Sequence, residues 1–547
     1  MQAITRWVAV GAAVLIGIAP AAVGGDVESR VRAWMPDVVT EGSRVYQYAV
    51  TGTDAKGRET TMYLWIPEKA THVRGLVIGG YTRFRIDPLI REACADKGLG
   101  IVANLHGYGG TKHLERALDE LAKVSDHPEL RRAALLPIGH SAGTLFVVNL
   151  LHTMPERCLG AITFKGAHPI AADRDTTPVR GIPTLHVQDF VEEYKDRRES
   201  GSMGRQNVAG IRARDPKVLL GIVEDNGSKH AAWSFRVTPL LAEFIRATAD
   251  VRFGENGKLR PVKPDVGALV DKHFVEPRFA TASARDYEGD PRDAMWYPSL
   301  RLARMLTDFN AVQLGKSAQY IGFVDVNTGR VISGINTLSG NVTGGGAILR
   351  FVGPDTFEVK ATFLEKADNP VLPQDPVGHA KGAIRFAPHY GSLERVGPGR
   401  FRMVFHPIYS STRLSAYHMG DATYRFEEVL ITAPVPRPRG TAQTIEFPKI
   451  GAVKRSDFPI TLQATATSKL PVRFTVGFGP AVVKDGNKLV LSEIPKNAPY
   501  PLEICVWAYQ LGSQVDPKVQ RAAPVEQLMV VEQPVPDGSS RRLRSRS

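Results

Sequence analysis

Between about Tyr46 and Thr248, short apolar runs alternate with segments of helical period, and few architectures accept that alternation. The runs are Thr60 to Pro67, Val73 to Gly80, Leu99 to Leu105, Ala133 to Ile138, Gly160 to Phe164, Thr184 to Gln188 and Val218 to Val223. Helices are expected over Asp87 to Lys97, with Asp87 and Pro88 at its start, and from a capping Thr111 to about Val124. Two more are expected over Ala142 to Thr153 and Thr238 to Ala247. The helix after Ala142 is apolar nearly all round, which predicts burial against a sheet. Strands joined through helices give an α/β fold, a mainly parallel sheet with helices on both faces. In such sheets chemistry sits at the carboxyl ends of the strands.

At one of those ends stands Gly139-His140-Ser141-Ala142-Gly143, between an expected strand and an expected helix. A serine on a sharp strand-to-helix turn has its hydroxyl forced out of the sheet top, and a Cβ on either flanking glycine is expected to collide with its neighbours. The helix N-terminus behind it favours developing negative charge. Ser141 is therefore the candidate nucleophile. A serine hydroxyl needs a base, and in this fold class the chain order is serine, acid, histidine. His230, in Gly227-Ser228-Lys229-His230, follows the last core strand and is the candidate base. His168 and His186 are read as core or pocket-wall residues. The acid should follow the Thr184 to Gln188 strand. Glu192 leaves enough turn to reach back to the histidine, and Asp189 is the alternative. The oxyanion hole is assigned to the N–H of Ala142 and to the loop at Gly80 and Tyr81, with Tyr81 as the second donor. His106 and Tyr108, in another glycine-rich strand end, and His140 are expected to wall the pocket.

These motifs, with Val77-Ile78-Gly79-Gly80-Tyr81 and Ser228-Lys229-His230, make residues from about Gly75 to Ala247 resemble the α/β-hydrolase superfamily, in particular its secreted bacterial esterase-like members. The resemblance implies Ser141 as nucleophile, His230 as base and Glu192 as acid. Relatives often carry glycine where Asp189 stands, so Asp189 departs from the pattern.

The rest of the chain reads differently. Residues 1–24 have the form of an export signal: Arg6, an apolar run from Trp7 to Ile18, and the small-residue pattern Ala19-Pro20-Ala21. The expected organisation continues with the catalytic domain at 26–252 and a linker with a mixed helical segment at 253–318, including a helix from Tyr297 to Phe309. A β-rich domain at 319–433 and an all-β domain at 434–534 follow, then a basic tail at 535–547 expected to be disordered. Asn327-Thr328-Gly329 signals a hairpin, and its neighbour Asp325 lacks the later Glu that a calcium loop needs. The stretch from Gln443 through Val472, closed by Ala522 to Gln527, is similar to bacterial immunoglobulin-like repeats, which implies a β-sandwich spacer or attachment module.

Composition bounds the partners. Three cysteines make no disulfide framework, and Cys94 and Cys158 sit in apolar surroundings. The net charge of +13 is spread along the chain apart from the tail. No nucleic-acid-binding signature accompanies it, so the charge points to an acidic polymer or an anionic cell surface rather than nucleic acid. No zinc-type cluster, Walker loop or dinucleotide fingerprint is present, so neither metal nor cofactor is expected. No later stretch reaches the roughly 20 apolar residues of a spanning helix, so an integral membrane protein is not expected. The expectation is a secreted, periplasmic or cell-surface serine hydrolase acting on an ester, one carried on an extracellular polysaccharide. The alternatives are a serine peptidase with the same triad and a surface binding or structural protein with a degenerate hydrolase domain.

Overall fold

The computed structural model describes residues 45–533, except 55–56, 80–83, 85–86, 105–109, 167–174, 190–199, 229, 231–234, 274–276, 314, 333–348, 368–374, 390–392, 409–410 and 435–437. The first part is built on eight strands: β1 (Tyr48–Thr53), β2 (Glu59–Trp65), β3 (Gly75–Gly79), β4 (Leu99–Asn104), β5 (Ala134–His140), β6 (Ala161–Phe164), β7 (Thr184–Asp189) and β8 (Leu220–Asp225). They lie in the order β1-β2-β4-β3-β5-β6-β7-β8. The β1/β2 and β2/β4 pairs are antiparallel, and every later pair is parallel. In β3, β4, β5, β6 and β8 every residue is buried, as continuous apolar runs covered on both faces must be.

Helix α1 (Pro88–Lys97) starts as expected: the Asp87 carboxylate accepts the Leu89 N–H at 3.0 Å, and Pro88 occupies the first turn. Helix α2 (Thr111–Ser125) corrects one detail. Its cap is Gly110, and no side chain closes its start. Its stripe of Leu114, Leu118, Leu121 and Ala122 packs inward. The expected Ala142 to Thr153 helix is in fact a 3-10 turn, Ser141–Gly143, followed by α3 (Thr144–Thr153). It is not buried all round either. One side, with Val147, Leu150 and Leu151, faces the sheet, while Leu145 is 65 % exposed.

Helix α4 (Ser200–Arg214) precedes β8, and α5 (Thr238–Arg252) runs beyond the expected end at Ala247. The extension is held by Arg252, whose guanidinium donates to the carbonyls of Leu159 and Cys158. Beyond it, β9 (Ala268–Asp271), β10 (Ala282–Ser283) and β11 (Ala294–Tyr297) form a small antiparallel sheet. Met295 and Tyr297 enter the same core as the large sheet, and the Tyr297 hydroxyl donates to the Ile222 carbonyl at 2.7 Å. Because β11 claims Tyr297, the expected helix there starts later, as α6 (Leu300–Ala311), capped by the Ser299 hydroxyl.

From Tyr320 to Pro434 the described chain forms three antiparallel sheets around Ile321, Phe323, Phe357, Phe401, Leu414 and Val429. The hairpin at Asn327 is present: Tyr320–Val324 pairs with Val331–Ile332, and Asp325 accepts the N–H groups of Asn327 and Thr328. The C-terminal part is all-β around Leu489, Ile504, Val506 and Val531. It touches both other parts. Trp65 Nε1 donates to Glu493 Oε2 at 2.6 Å, and the Gly479 N–H donates to the Tyr46 carbonyl at 2.7 Å. Tyr509 and Leu511 pack into the middle core, and Arg473 donates to Asp355 at 3.1 Å. Among the described residues no helix is long and apolar enough to cross a membrane.

Candidate active site

Ser141 is the first residue past β5, and its backbone lies in the left-handed region at φ 53°. For a residue with a Cβ that conformation costs about 1–2 kcal/mol and persists only where the surroundings impose it. They do so here by close approach. A Cβ on Gly139 would lie 2.3 Å from the Gly143 carbonyl oxygen, so β5 can fold back into the turn only with glycine there. From the neighbouring strand end, a Cβ on Gly166 would lie 2.5 Å from the Ser141 carbonyl oxygen. That carbonyl accepts the Thr144 hydroxyl at 2.6 Å. Gly143 corrects the sequence expectation: a Cβ there meets nothing within 4 Å. Only the first glycine of the motif is sterically required.

The turn aims the serine hydroxyl at His230, on the loop after β8. His230 Nε2 lies 2.8 Å from Ser141 Oγ. With the ring proton on Nδ1, Nε2 accepts from the hydroxyl and is placed to take its proton. Ala142 lies in the 3-10 turn leading into α3, at the positive end of that helix dipole. Gly79 ends β3 so close to β5 that a Cβ would lie 2.4 Å from the Ile138 carbonyl oxygen. The strand that leads into Gly80 and Tyr81 therefore runs tightly beside the strand that leads into Ser141.

The structure brings Ser141 and His230 together. Asp189 is the last residue of β7, where its backbone pairs with Asp225 of β8. Glu192, Gly80, Tyr81, His106, Tyr108 and His168 lie outside the described residues. His186 is a buried core histidine, with Nδ1 2.8 Å from the Thr163 hydroxyl. His140, expected to wall the pocket, is buried with its ring beside that of His230, centroids 5.4 Å apart, and its Nε2 lies 2.7 Å from the His230 carbonyl oxygen, so that a protonated Nε2 braces His230 through its backbone.

Sequence reasoning missed Lys165, Asp225, Ser228 and Glu428. Lys165 follows β6 at φ 46°, fully buried, with Nζ 2.8 Å from the Ser228 hydroxyl and 3.0 Å from the Asp225 carboxylate. A lysine within two residues of a buried strand end, beside the expected site, was the available signal. Glu428 carried none, since it lies far along the chain. The cysteines are poor nucleophiles. All three are buried, and burial pushes the Cys158 thiol up to about 12. Among the described residues no group of three or more His, Cys, Asp or Glu side chains is arranged to hold a metal ion.

A hydroxyl hydrogen-bonded to an imidazole, on a strained turn at a helix start, is an arrangement suited to acyl transfer. No family model matches the chain, and no curated protein matches it in sequence. Solved structures do resemble it. The esterase domain of a Rhodothermus marinus protein is 14 % identical, covers 37 % of this chain and 97 % of its own, and gives a TM-score of 0.26. Brefeldin A esterase, a bacterial homologue of human hormone-sensitive lipase, is 15 % identical over 43 % of this chain and 89 % of its own, with a TM-score of 0.28. An S-formylglutathione hydrolase from Agrobacterium tumefaciens is 12 % identical over 37 % of this chain and 94 % of its own, with a TM-score of 0.27. At these identities and scores the likeness carries no functional weight.

Proposed function

We infer that the chain is an exported serine hydrolase that cleaves a carboxylic ester through an acyl-enzyme on Ser141. The observation that carries this reading is the 2.8 Å contact between His230 Nε2 and Ser141 Oγ on a turn held at positive φ. Ser141 Oγ attacks the ester carbonyl carbon while its proton passes to His230 Nε2. The N–H groups of Ala142 and of the Gly80–Tyr81 loop receive the oxyanion. Collapse expels the alcohol, which takes the proton back from His230. Water then adds to the acyl-enzyme with His230 again as base, which releases the acid and restores Ser141. Glu192, or Asp189 at the end of β7, orients the far side of the imidazole.

The substrate class in this reading is an ester on an extracellular polysaccharide. The C-terminal all-β part serves as an immunoglobulin-like attachment module, and the net positive charge favours an acidic polymer or cell surface.

The test is labelling by a fluorophosphonate probe together with p-nitrophenyl acetate hydrolysis. Wild type is expected to label stoichiometrically and turn over. Ser141→Ala should lose all labelling and on the order of 10⁶ in kcat. Glu192→Gln against Asp189→Asn identifies the acid by which one lowers kcat. A folded wild type that neither labels nor hydrolyses overturns the reading, and turnover of peptide amides that Ser141→Ala abolishes turns it to a peptidase.

A further inference from the structure

We propose that Glu428, in the β-rich part of the chain, is a positioning residue for His230, acting through Ser228. This rests on the reading of His230 as the catalytic base.

His230 sits on a loop, and the contacts that hold that loop come from two different parts of the chain. From the α/β part, His140 Nε2 meets the His230 carbonyl oxygen, and Lys165 Nζ donates to Ser228 Oγ at 2.8 Å. From the β-rich part, the strand Glu427–Pro434 lies directly against the loop. The Glu428 N–H donates to the Gly227 carbonyl at 2.9 Å. Gly227 has φ +78°, and a Cβ on it would lie 2.0 Å from the Phe426 carbonyl oxygen, so that the two backbones are in contact. Arg236, just after the loop, stacks over the Phe426 ring at 4.5 Å and donates to the Asn226 carbonyl at 2.9 Å.

The side chains add a directed hydrogen-bond chain. Ser228 has one hydroxyl proton, and it goes to Glu428 Oε2 at 3.0 Å. Its oxygen is thus the acceptor for Lys165. Glu428 Oε1 accepts from Ser415 Oγ at 2.5 Å and lies 3.0 Å from His389 Nε2. Burial alone would push the Glu428 carboxyl up. The hydrogen bond and charge of His389, the Ser415 hydroxyl and the Lys165 charge outweigh it and hold the group below its usual range, so it is ionised at neutral pH. Lys165 is paired with Asp225 at 3.0 Å and Glu428 with His389 at 3.0 Å, so neither buried charge stands alone. Ser228 bridges the two pairs and ties the loop to both, two residues before the base. The 2.8 Å approach of His230 to Ser141 is thus a joint property of the two parts of the chain.

The test uses the full chain with Ser228→Ala and Glu428→Gln, each checked for folding by circular dichroism. Both variants are expected to fold and to lose on the order of 10- to 100-fold in kcat, as a base displaced by up to about an ångström would. KM for a small ester is expected to stay within about threefold, because no substrate contact is removed. The rate of fluorophosphonate labelling should fall in parallel with kcat. If wild type is active and the folded variants keep its kcat and labelling rate, the positioning role is wrong while the hydrolase reading stands. If Glu428→Gln fails to fold, Ser228→Ala alone decides. An inactive wild type removes both.

Discussion

Replacing Gly139 by alanine tests the turn at its tightest point. The added Cβ would meet Gly143 O at 2.3 Å, Gly143 C at 2.6 Å and Thr144 N at 2.8 Å. All three are backbone atoms, so no side chain can rotate away. The turn has to open, and with it Ser141, whose carbonyl is tied to Thr144. Overpacking of this kind costs about 1–3 kcal/mol of stability. A nucleophile displaced by about an ångström costs on the order of 10²-fold in rate. The measurement is kcat on p-nitrophenyl acetate beside the urea unfolding midpoint. Gly143→Ala is the internal control. Its Cβ meets nothing, its backbone is right-handed at φ −65°, ψ −16°, and its stability is expected to stay within about 0.5 kcal/mol of wild type. If Gly139→Ala keeps wild-type kcat and midpoint, or if Gly143→Ala is the more damaging of the two, the steric account of this turn is wrong.

Two further predictions concern buried charges. Arg212, 1 % exposed, donates to the carbonyls of Val218, Pro291 and Ala294, and burial pushes it down to about 10. Arg212→Met leaves the buried Val218 and Ala294 carbonyls without this donor at about 1 kcal/mol or more each, so the unfolding free energy from urea melts should fall by about 2 kcal/mol or more. Arg212→Lys should fail to restore it, since one ammonium lacks the planar fork. Asp215 accepts from Thr176, Arg180 and the Lys217 N–H, which together outweigh its burial and hold its carboxyl below the usual range. A lowered folded-state value means that this stabilisation is present above the unfolded value of about 3.9 and fades as pH falls through the folded one. The stability gap between wild type and Asp215→Asn should therefore be constant from about pH 5 to 7 and shrink below about pH 4. A gap that widens in acid would contradict this.

The sheet and its two best site residues were legible because their signals are local. Each apolar run is continuous and each glycine sits at a strand end, so Ser141 and His230 could be placed by what precedes and follows them. The stretch after α5 was not legible. Its strands are only two to four residues long, and Met295-Trp296-Tyr297 is too short to show a period, although Trp296 and Tyr297 are among the most buried side chains in the molecule. Leu145 misled because composition alone does not say which side of a helix end still faces a sheet. The support of the base was illegible for another reason. Ser228 and Glu428 are neighbours only where two sheets distant in sequence meet, and no short window of sequence contains both.

The contacts of the C-terminal sheets close the molecule into a ring. The first part touches the second at Gly227, the second touches the third at Tyr509, and the third returns to the first at Trp65. In a string of domains, each tether is a hinge and its length sets how far neighbours can swing. A ring has no such freedom, because turning any member about one tether breaks its contact with the third. The proline-rich stretches that punctuate this sequence therefore do not set the geometry of the parts they join. The surfaces do, and the loop that carries His230 lies at one of the three joints.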